Sequence, residues 1–156
     1  MKKLFFYAAV AAAILTATAC SSDEDEEEVI TTGSFIYVEP LCSWGSSMDD
    51  IQTDMAAVTQ YKLTTEGASS LTYSGATGNA VLTYNFAVTG LISAQITVDK
   101  AYESQVVKSL QSRYNQMETG DEAEGDFFFY PADKSTSITT GIAGDIFFVT
   151  YVRVTK

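Results

Sequence analysis

Residues 82–98 read Leu82-Thr83-Tyr84-Asn85-Phe86-Ala87-Val88-Thr89-Gly90-Leu91-Ile92-Ser93-Ala94-Gln95-Ile96-Thr97-Val98. Leu82, Tyr84, Phe86 and Val88 alternate with Thr83, Asn85 and Ala87. After a turn at Thr89-Gly90, Ile92, Ala94, Ile96 and Val98 alternate with Ser93, Gln95 and Thr97. A period of two sends successive side chains to opposite faces of a pleated strand. One apolar face and one polar face argue for half-buried antiparallel strands with a wet side.

The same logic extends upstream. Tyr61, Leu63 and Thr65 alternate with Lys62, Thr64 and Glu66, and Leu71 and Tyr73 flank Thr72. Gly75-Ala76-Thr77-Gly78-Asn79 has turn composition. Before these strands the period changes to helical. Met48, Ile51, Met55 and Val58 fall on one face, Asp50 and Asp54 on the other, and Ser46 or Ser47 stands ready to cap. These residues predict a helix over residues 47–58. Phe35-Ile36-Tyr37-Val38, stopped by Pro40, reads as a short strand.

Downstream, Asp99 precedes a second helical pattern in which Tyr102, Val106, Leu110 and Tyr114 repeat every four residues, joined by Val107 and Met117. Residues 118–126 form an acidic run read as an exposed loop. Phe127-Phe128-Phe129-Tyr130 is an apolar strand ended by Pro131, Gly141 and Gly144 bracket a turn, and residues 146–154 make the last strand. The expected order is β-α-β-β-β-β-α-β-β-β. Long parallel crossovers are missing, so the expected class is α+β, an antiparallel sheet with two helices packed on one face. Each half runs helix then meander, which hints at a duplication.

Composition narrows the function classes. The chain has 156 residues, 20 acids against 9 bases, and no histidine. Without histidine there is no Ser-His-Asp triad, no Cys-His dyad and no His-ligated zinc site. The net charge is −11, and no basic stripe offsets it, which argues against nucleic-acid binding. Anionic membrane surfaces repel such a body as well.

The first 28 residues read as an address. Lys2 and Lys3 precede an apolar stretch of residues 4–15, too short to span a bilayer and fitting the core of a secretory signal. Ala17-Thr18-Ala19-Cys20 resembles the lipobox of bacterial lipoproteins, with alanine at Ala17 where leucine is commonest. That resemblance implies cleavage before Cys20 and acylation of its thiol and new amine. Ser21, Ser22, Asp23, Glu24, Asp25, Glu26, Glu27 and Glu28 follow directly. This run is similar to the export signal of Bacteroidota-type surface lipoproteins, which implies delivery to the outer face of the outer membrane. The expected organisation is a signal peptide over residues 1–19, a lipidated cysteine and acidic tether over 20–33, and a single α+β domain over 34–156. Once Lys2 and Lys3 leave with the signal, 7 bases face 20 acids and the net charge is −13.

Candidate sites in the body are sparse. Gly45-Ser46-Ser47-Met48-Asp49-Asp50-Ile51 resembles the Gly-x-Ser/Thr-x-x-x-Val/Ile helix start of small outer-membrane-assembly lipoproteins and of β-lactamase-inhibitor-protein-like domains. The resemblance implies a role in binding other proteins. A turn glycine followed by a helix cap accounts for the same letters, and the Gly-x-Pro that often follows in those families is replaced by Ala56-Ala57-Val58. Cys42 has no histidine base and no cysteine partner once Cys20 is acylated, so it reads as a buried packing residue. Asp49, Asp50 and Asp54 are the paired carboxylates a glycosidase needs, yet their helical spacing fits a solvated face. Asp121, Glu122, Glu124 and Asp126 have calcium-ligand chemistry without EF-hand spacing. Gly141-Ile142-Ala143-Gly144-Asp145 lacks the lysine of a phosphate loop. Trp44 and the tyrosines have rings suited to stacking on sugars, but Tyr73 and Tyr84 fall on the core phase of their strands. No catalytic, metal or cofactor residue is assigned. The expectation is a membrane-tethered binding or envelope-accessory module, anchored through Cys20, with a protein or glycan ligand. The alternative is a small glycan-active hydrolase using carboxylates alone.

Overall fold

The computed structural model describes residues 35–121 and 125–155, within a compact unit, Thr32–Lys156. The leader, Cys20 and the acidic run at residues 21–28 lie outside the described residues, as do Glu122 and Glu124. The chain forms α1 (Met48–Met55), β1 (Tyr61–Glu66), β2 (Ser70–Gly75), β3 (Ala80–Ala87), β4 (Gly90–Asp99), a 3-10 turn (Lys100–Tyr102), α2 (Glu103–Gln111), β5 (Asn115–Thr119), β6 (Phe127–Tyr130), β7 (Thr136–Ala143) and β8 (Ile146–Arg153). This is an α+β fold with one eight-stranded antiparallel sheet, ordered β1-β2-β3-β4-β8-β7-β6-β5.

That order has a mirror in it. Each half is a helix followed by a four-stranded meander, and the last strands of the two halves, β4 and β8, pair at the centre. The seam runs from Ser93 opposite Val152 to Asp99 opposite Ile146 without a break in register. The pairing buries what would otherwise be two open edges, each a row of unpaired backbone groups.

The helices cover one face. Ile51 and Met55 of α1 and Val106, Val107 and Leu110 of α2 join a single core with Leu71, Tyr73, Leu82, Tyr84, Ile96, Phe147, Val149 and Tyr151 of the sheet. Ser47 caps α1 as the spacing predicts. Its hydroxyl accepts from the Asp50 amide, and the Asp50 carboxylate accepts from the Ser47 amide in return.

Four expectations are corrected. Residues 35–38 are not a strand, because they join no ladder. They lie as an extended strap on the core, Phe35 and Tyr37 buried and Ile36 70% exposed, so the alternation is right but the partners are side chains. Phe35 stacks on Tyr102 at 4.5 Å, and the Gln105 amide donates to the Phe35 carbonyl at 2.6 Å. Helix α1 stops at Met55, short of Val58, and α2 stops at Gln111, so neither Tyr114 nor Met117 continues its face. The start of the acidic run is the end of edge strand β5, which pairs with β6. Gly141 lies within β7, not in a turn, because the Phe148 ring occupies the space above it; a Cβ there meets Phe148 Cζ at 2.6 Å.

One glycine is dictated by a backbone crossing. Gly90 has φ +87°, and a Cβ on it runs into the carbonyls of Gly45 and Ser46, where Gly45 and Ser46 exchange backbone hydrogen bonds with Leu91. Gly90→Ala is expected to lower stability by about 2–4 kcal/mol, through both the left-handed φ and the collision. Gly78→Ala shares the positive φ but meets nothing within 4 Å, so it is expected to cost only about 1 kcal/mol. Urea unfolding of the two variants checks this ordering.

Candidate functional site

Sequence-selected residues take up structural duties. The Asp50 carboxylate also receives the Ser47 hydroxyl at 2.7 Å, and these two bonds from Ser47 hold its pKa below the usual carboxylate value. Asp49 and Asp54 are exposed on the same helix. Cys42 is half-buried, its thiol 3.6 Å from the Pro40 carbonyl, and burial with the nearby Glu39 charge pushes its pKa up to about 12. A thiol held that far from ionisation is a poor nucleophile. Trp44 is half-buried, with its indole N–H bound to the Thr136 hydroxyl at 2.9 Å. Among the described residues, no group of three His, Cys, Asp or Glu side chains stands close enough to hold a metal ion. The Gly141-Ile142-Ala143-Gly144-Asp145 stretch is strand and hairpin turn.

The covered face also holds a tyrosine network. Tyr37 and Tyr151 share a hydrogen bond, and Tyr151 donates onward to Glu39 at 3.4 Å, so the proton between the rings is that of Tyr37. Glu39 pairs with Arg113 at 2.9 Å. Tyr84 accepts the Leu41 amide at 2.9 Å and donates to Met55 Sδ at 3.3 Å. These bonds fasten the strap at residues 35–44 between the two helices and the sheet.

Cavities offer little to a carboxylate mechanism. One of about 760 Å³ is lined by Gly45, Ser47, Met48, Phe86, Val88 and Thr89 among others, none of them titratable. Asp99 and Asp145 line another of about 360 Å³, but Asp99 Oδ1 already receives the Ala101 amide at 2.8 Å.

The broadest feature is the other side of the sheet, which no described element covers. Register places its residues in rows across the strands. One row holds Ser74, Val81, Thr97, Phe148 and Gly141; the next holds Thr72, Thr83, Gln95, Thr150, Thr139 and Phe128; a third holds Ser70, Asn85, Ser93, Val152 and Ser137. Side-chain bonds join neighbours within two of the rows. The Gln95 amide donates to Thr150 at 3.1 Å and the Asn85 amide to Ser93 at 3.1 Å. None of these residues is charged, in a chain whose sequence holds 29 charged ones, 20 acids and 9 bases. Wet faces of sheets ordinarily carry lysine and glutamate, which resist burial. Charged residues stand at the rims of this face: Lys62 on β1 opposite Ser74, Glu118 on β5 opposite Phe128, and Asp99 at the end of β4 opposite Ile146. Phe148 lies over Gly141 at one end, and Phe128 is 39% exposed at the side.

Sequence reasoning singled out none of these rows as a site. The signal was present as the polar half of each alternation, Thr83 with Asn85 and Ser93 with Gln95 and Thr97, but only pairing aligns the halves into rows. Compared with protein-family models, curated proteins and solved structures, the chain matches none.

The tyrosine network gives a pH prediction. Burial raises the pKa of Tyr37 and Tyr151 and pushes Tyr61 up to about 12. A phenol raised in the folded state favours its neutral form there, so its contribution is complete below the unfolded pKa near 10 and is lost as pH rises above it. The urea midpoint is expected to stay level from pH 7 to about 9 and to fall steeply above about 10. Tyr37→Phe is expected to lower stability by about 1 kcal/mol at neutral pH and to make the alkaline fall shallower.

Proposed function

We propose that this chain is a lipid-anchored, surface-exposed binding module whose ligand is an uncharged glycan. The observation that supports the ligand class is the neutrality of the open sheet face. Rows of hydroxyls and two amides give donors and acceptors without fixed charge, which is the hydrogen-bonding character of a neutral sugar. Phe128 and Phe148 add flat apolar rings for the sugar's C–H surface. Each neutral hydrogen bond adds only about 1 kcal/mol net, so affinity rests on several rows engaging one extended chain.

The anchor in this proposal is Cys20. Each buried methylene contributes about 0.8 kcal/mol, and two or more acyl chains hold a protein stably. Residues 22–34 are acidic and self-repelling, and span at most about 40 Å when extended, which sets the domain off the membrane. The acidic run at residues 21–28 is the proposed export signal.

Cys20→Ser is expected to release the protein from membranes, and retention in the membrane fraction contradicts the anchor. Neutral residues in place of residues 23–28 are expected to protect the protein from protease added to intact cells. For the face, gel retardation in neutral polysaccharides (dextran, mannan, xylan, galactan) is the test. At least one is expected to retard the protein, with no change on raising salt. Thr83→Lys and Thr150→Lys are each expected to weaken that retardation by about tenfold or more, with unchanged melting. Retention by anionic polysaccharides alone, or indifference to both variants, overturns the reading.

A further inference from the structure

The neutral rows end at a groove. Strands β6 and β7 pair at Phe128–Thr139 and Phe129–Ile138 and then part, although Tyr130 and Ser137 still belong to their strands. A groove of about 210 Å³ opens where they part, walled by Phe128, Tyr130, Lys134, Ser137 and Val154, with buried Phe129 and Thr136 also in its lining. Lys134 and Val154 are exposed, Phe128 is 39% exposed, and Tyr130 and Ser137 are half-buried, so the wall faces solvent. Phe128 closes one neutral row and Ser137 the next, which makes the groove a continuation of the open face.

Lys134 is strained where it stands. Its φ of +52° is the one positive value outside glycine among the described residues. In that conformation a Cβ crowds the backbone, and glycine escapes the penalty. The Lys134 amide donates to the Pro131 carbonyl at 3.0 Å, and its ammonium lies 5.6 Å from the centroid of the Tyr130 ring. A cation–π contact at an exposed site is worth no more than the left-handed backbone costs. Strain that packing does not offset points to a binding position.

We propose that the groove is a subsite for the acetamido group of an N-acetylated sugar, a proposal that rests on the neutral-glycan reading of the open face. The rows offer hydroxyls, which both donate and accept and so match sugar hydroxyls. The groove differs. Rings and valine methyls make most of its wall, where a bare sugar's hydroxyls lose water without replacement. An acetamido group presents a methyl to Phe128 and Val154, a carbonyl to the Lys134 ammonium, which only donates, and an N–H to the Ser137 hydroxyl, which accepts. The Thr136 hydroxyl is already held by the Trp44 indole at 2.9 Å. Neighbouring charges disfavour a carboxylate ligand. Asp133 adjoins Lys134, its Oδ1 receiving the Ser135 amide at 3.0 Å and hydroxyl at 2.9 Å, and register sets Glu118 opposite Phe128. The Arg153 guanidinium lies beside Gly45 and is not part of the groove. One cation beside two acids, in a chain of net charge −11, suits a neutral acceptor.

Monosaccharides isolate the acetamido group from any question of linkage. The full chain in detergent is titrated with N-acetylglucosamine, N-acetylgalactosamine, glucose, galactose and acetate, and the Val154 methyls and Phe128 ring are followed by NMR. At least one N-acetyl sugar is expected to shift these signals saturably, with its parent sugar binding about fivefold more weakly or less. Lys134→Gly is expected to raise the melting temperature, because glycine relieves the φ, and to weaken N-acetyl sugar binding by about fivefold. Ser137→Ala is expected to weaken it as well, and Thr83→Lys on β3 to leave it unchanged. Equal binding of N-acetyl and parent sugars, a Lys134→Gly variant with unchanged binding, or no saturable shift up to the sugars' solubility overturns the proposal. Tighter binding of acetate than of either N-acetyl sugar assigns the groove to anions and overturns it too. Polysaccharide retardation without these shifts defeats the groove alone. The shifts without retardation defeat the open-face reading and leave the groove as an isolated acetamido site.

Discussion

The central seam between β4 and β8 is the constraint on which the rest of the molecule depends. Each half alone is a four-stranded meander with one helix, and each has a bare edge where the other half belongs. Joining them in antiparallel register along the whole of β8 up to Val152 turns two small sheets into one broad one. Breadth has two consequences. It gives two helices and the strap enough apolar surface to close a single core, and it lays out the opposite face as rows spanning five or six strands.

The two faces divide the chemistry. Polar groups on the covered side are mostly satisfied internally: Tyr37 on Tyr151, Tyr151 on Glu39, Tyr84 on Leu41 and Met55, Thr140 on the Gly125 carbonyl. That side also fixes the chain's entry, since the Gly45–Gly90 crossing and the strap at residues 35–44 pin the start of the domain across both halves. The open side keeps a band of hydroxyls, ordered by the amide-to-hydroxyl bonds of Gln95 and Asn85 and by the Thr97 hydroxyl on the Val81 carbonyl. Preordered neutral groups lose little freedom when a ligand docks, which suits weak bonds repeated many times.

Much of this was legible from alternation. Leu82 and Tyr84, and Ala94, Ile96 and Val98, are buried as their period demands, and Ile51 with Met55 faces inward as the helical spacing demands. What escaped the sequence was set by partners far along the chain. Residues 35–38 have a strand's alternation, but their partners are Tyr102, Gln105 and Tyr151 rather than a ladder. Strand β5 ends in an acidic stretch with loop composition and owes its place to pairing with β6. Gly141 has a turn residue's identity, and only Phe148 on the next strand explains it. The unpartnered Tyr73 hydroxyl was beyond reach for the same reason, since Tyr73 and Tyr84 look equivalent until their surroundings are known.

In the proposed function, an uncharged platform binds the ligand and an acylated Cys20 anchors the chain. Hydroxyl-radical footprinting on intact cells, read against the purified protein, tests that placement most directly. The account predicts that Phe128, Phe148 and Val152 on the open face are protected in cells, while Ile36 on the strap and Val88 at the β3–β4 tip react equally in both settings. Equal labelling of all five residues, or protection confined to Ile36 and Val88, contradicts it.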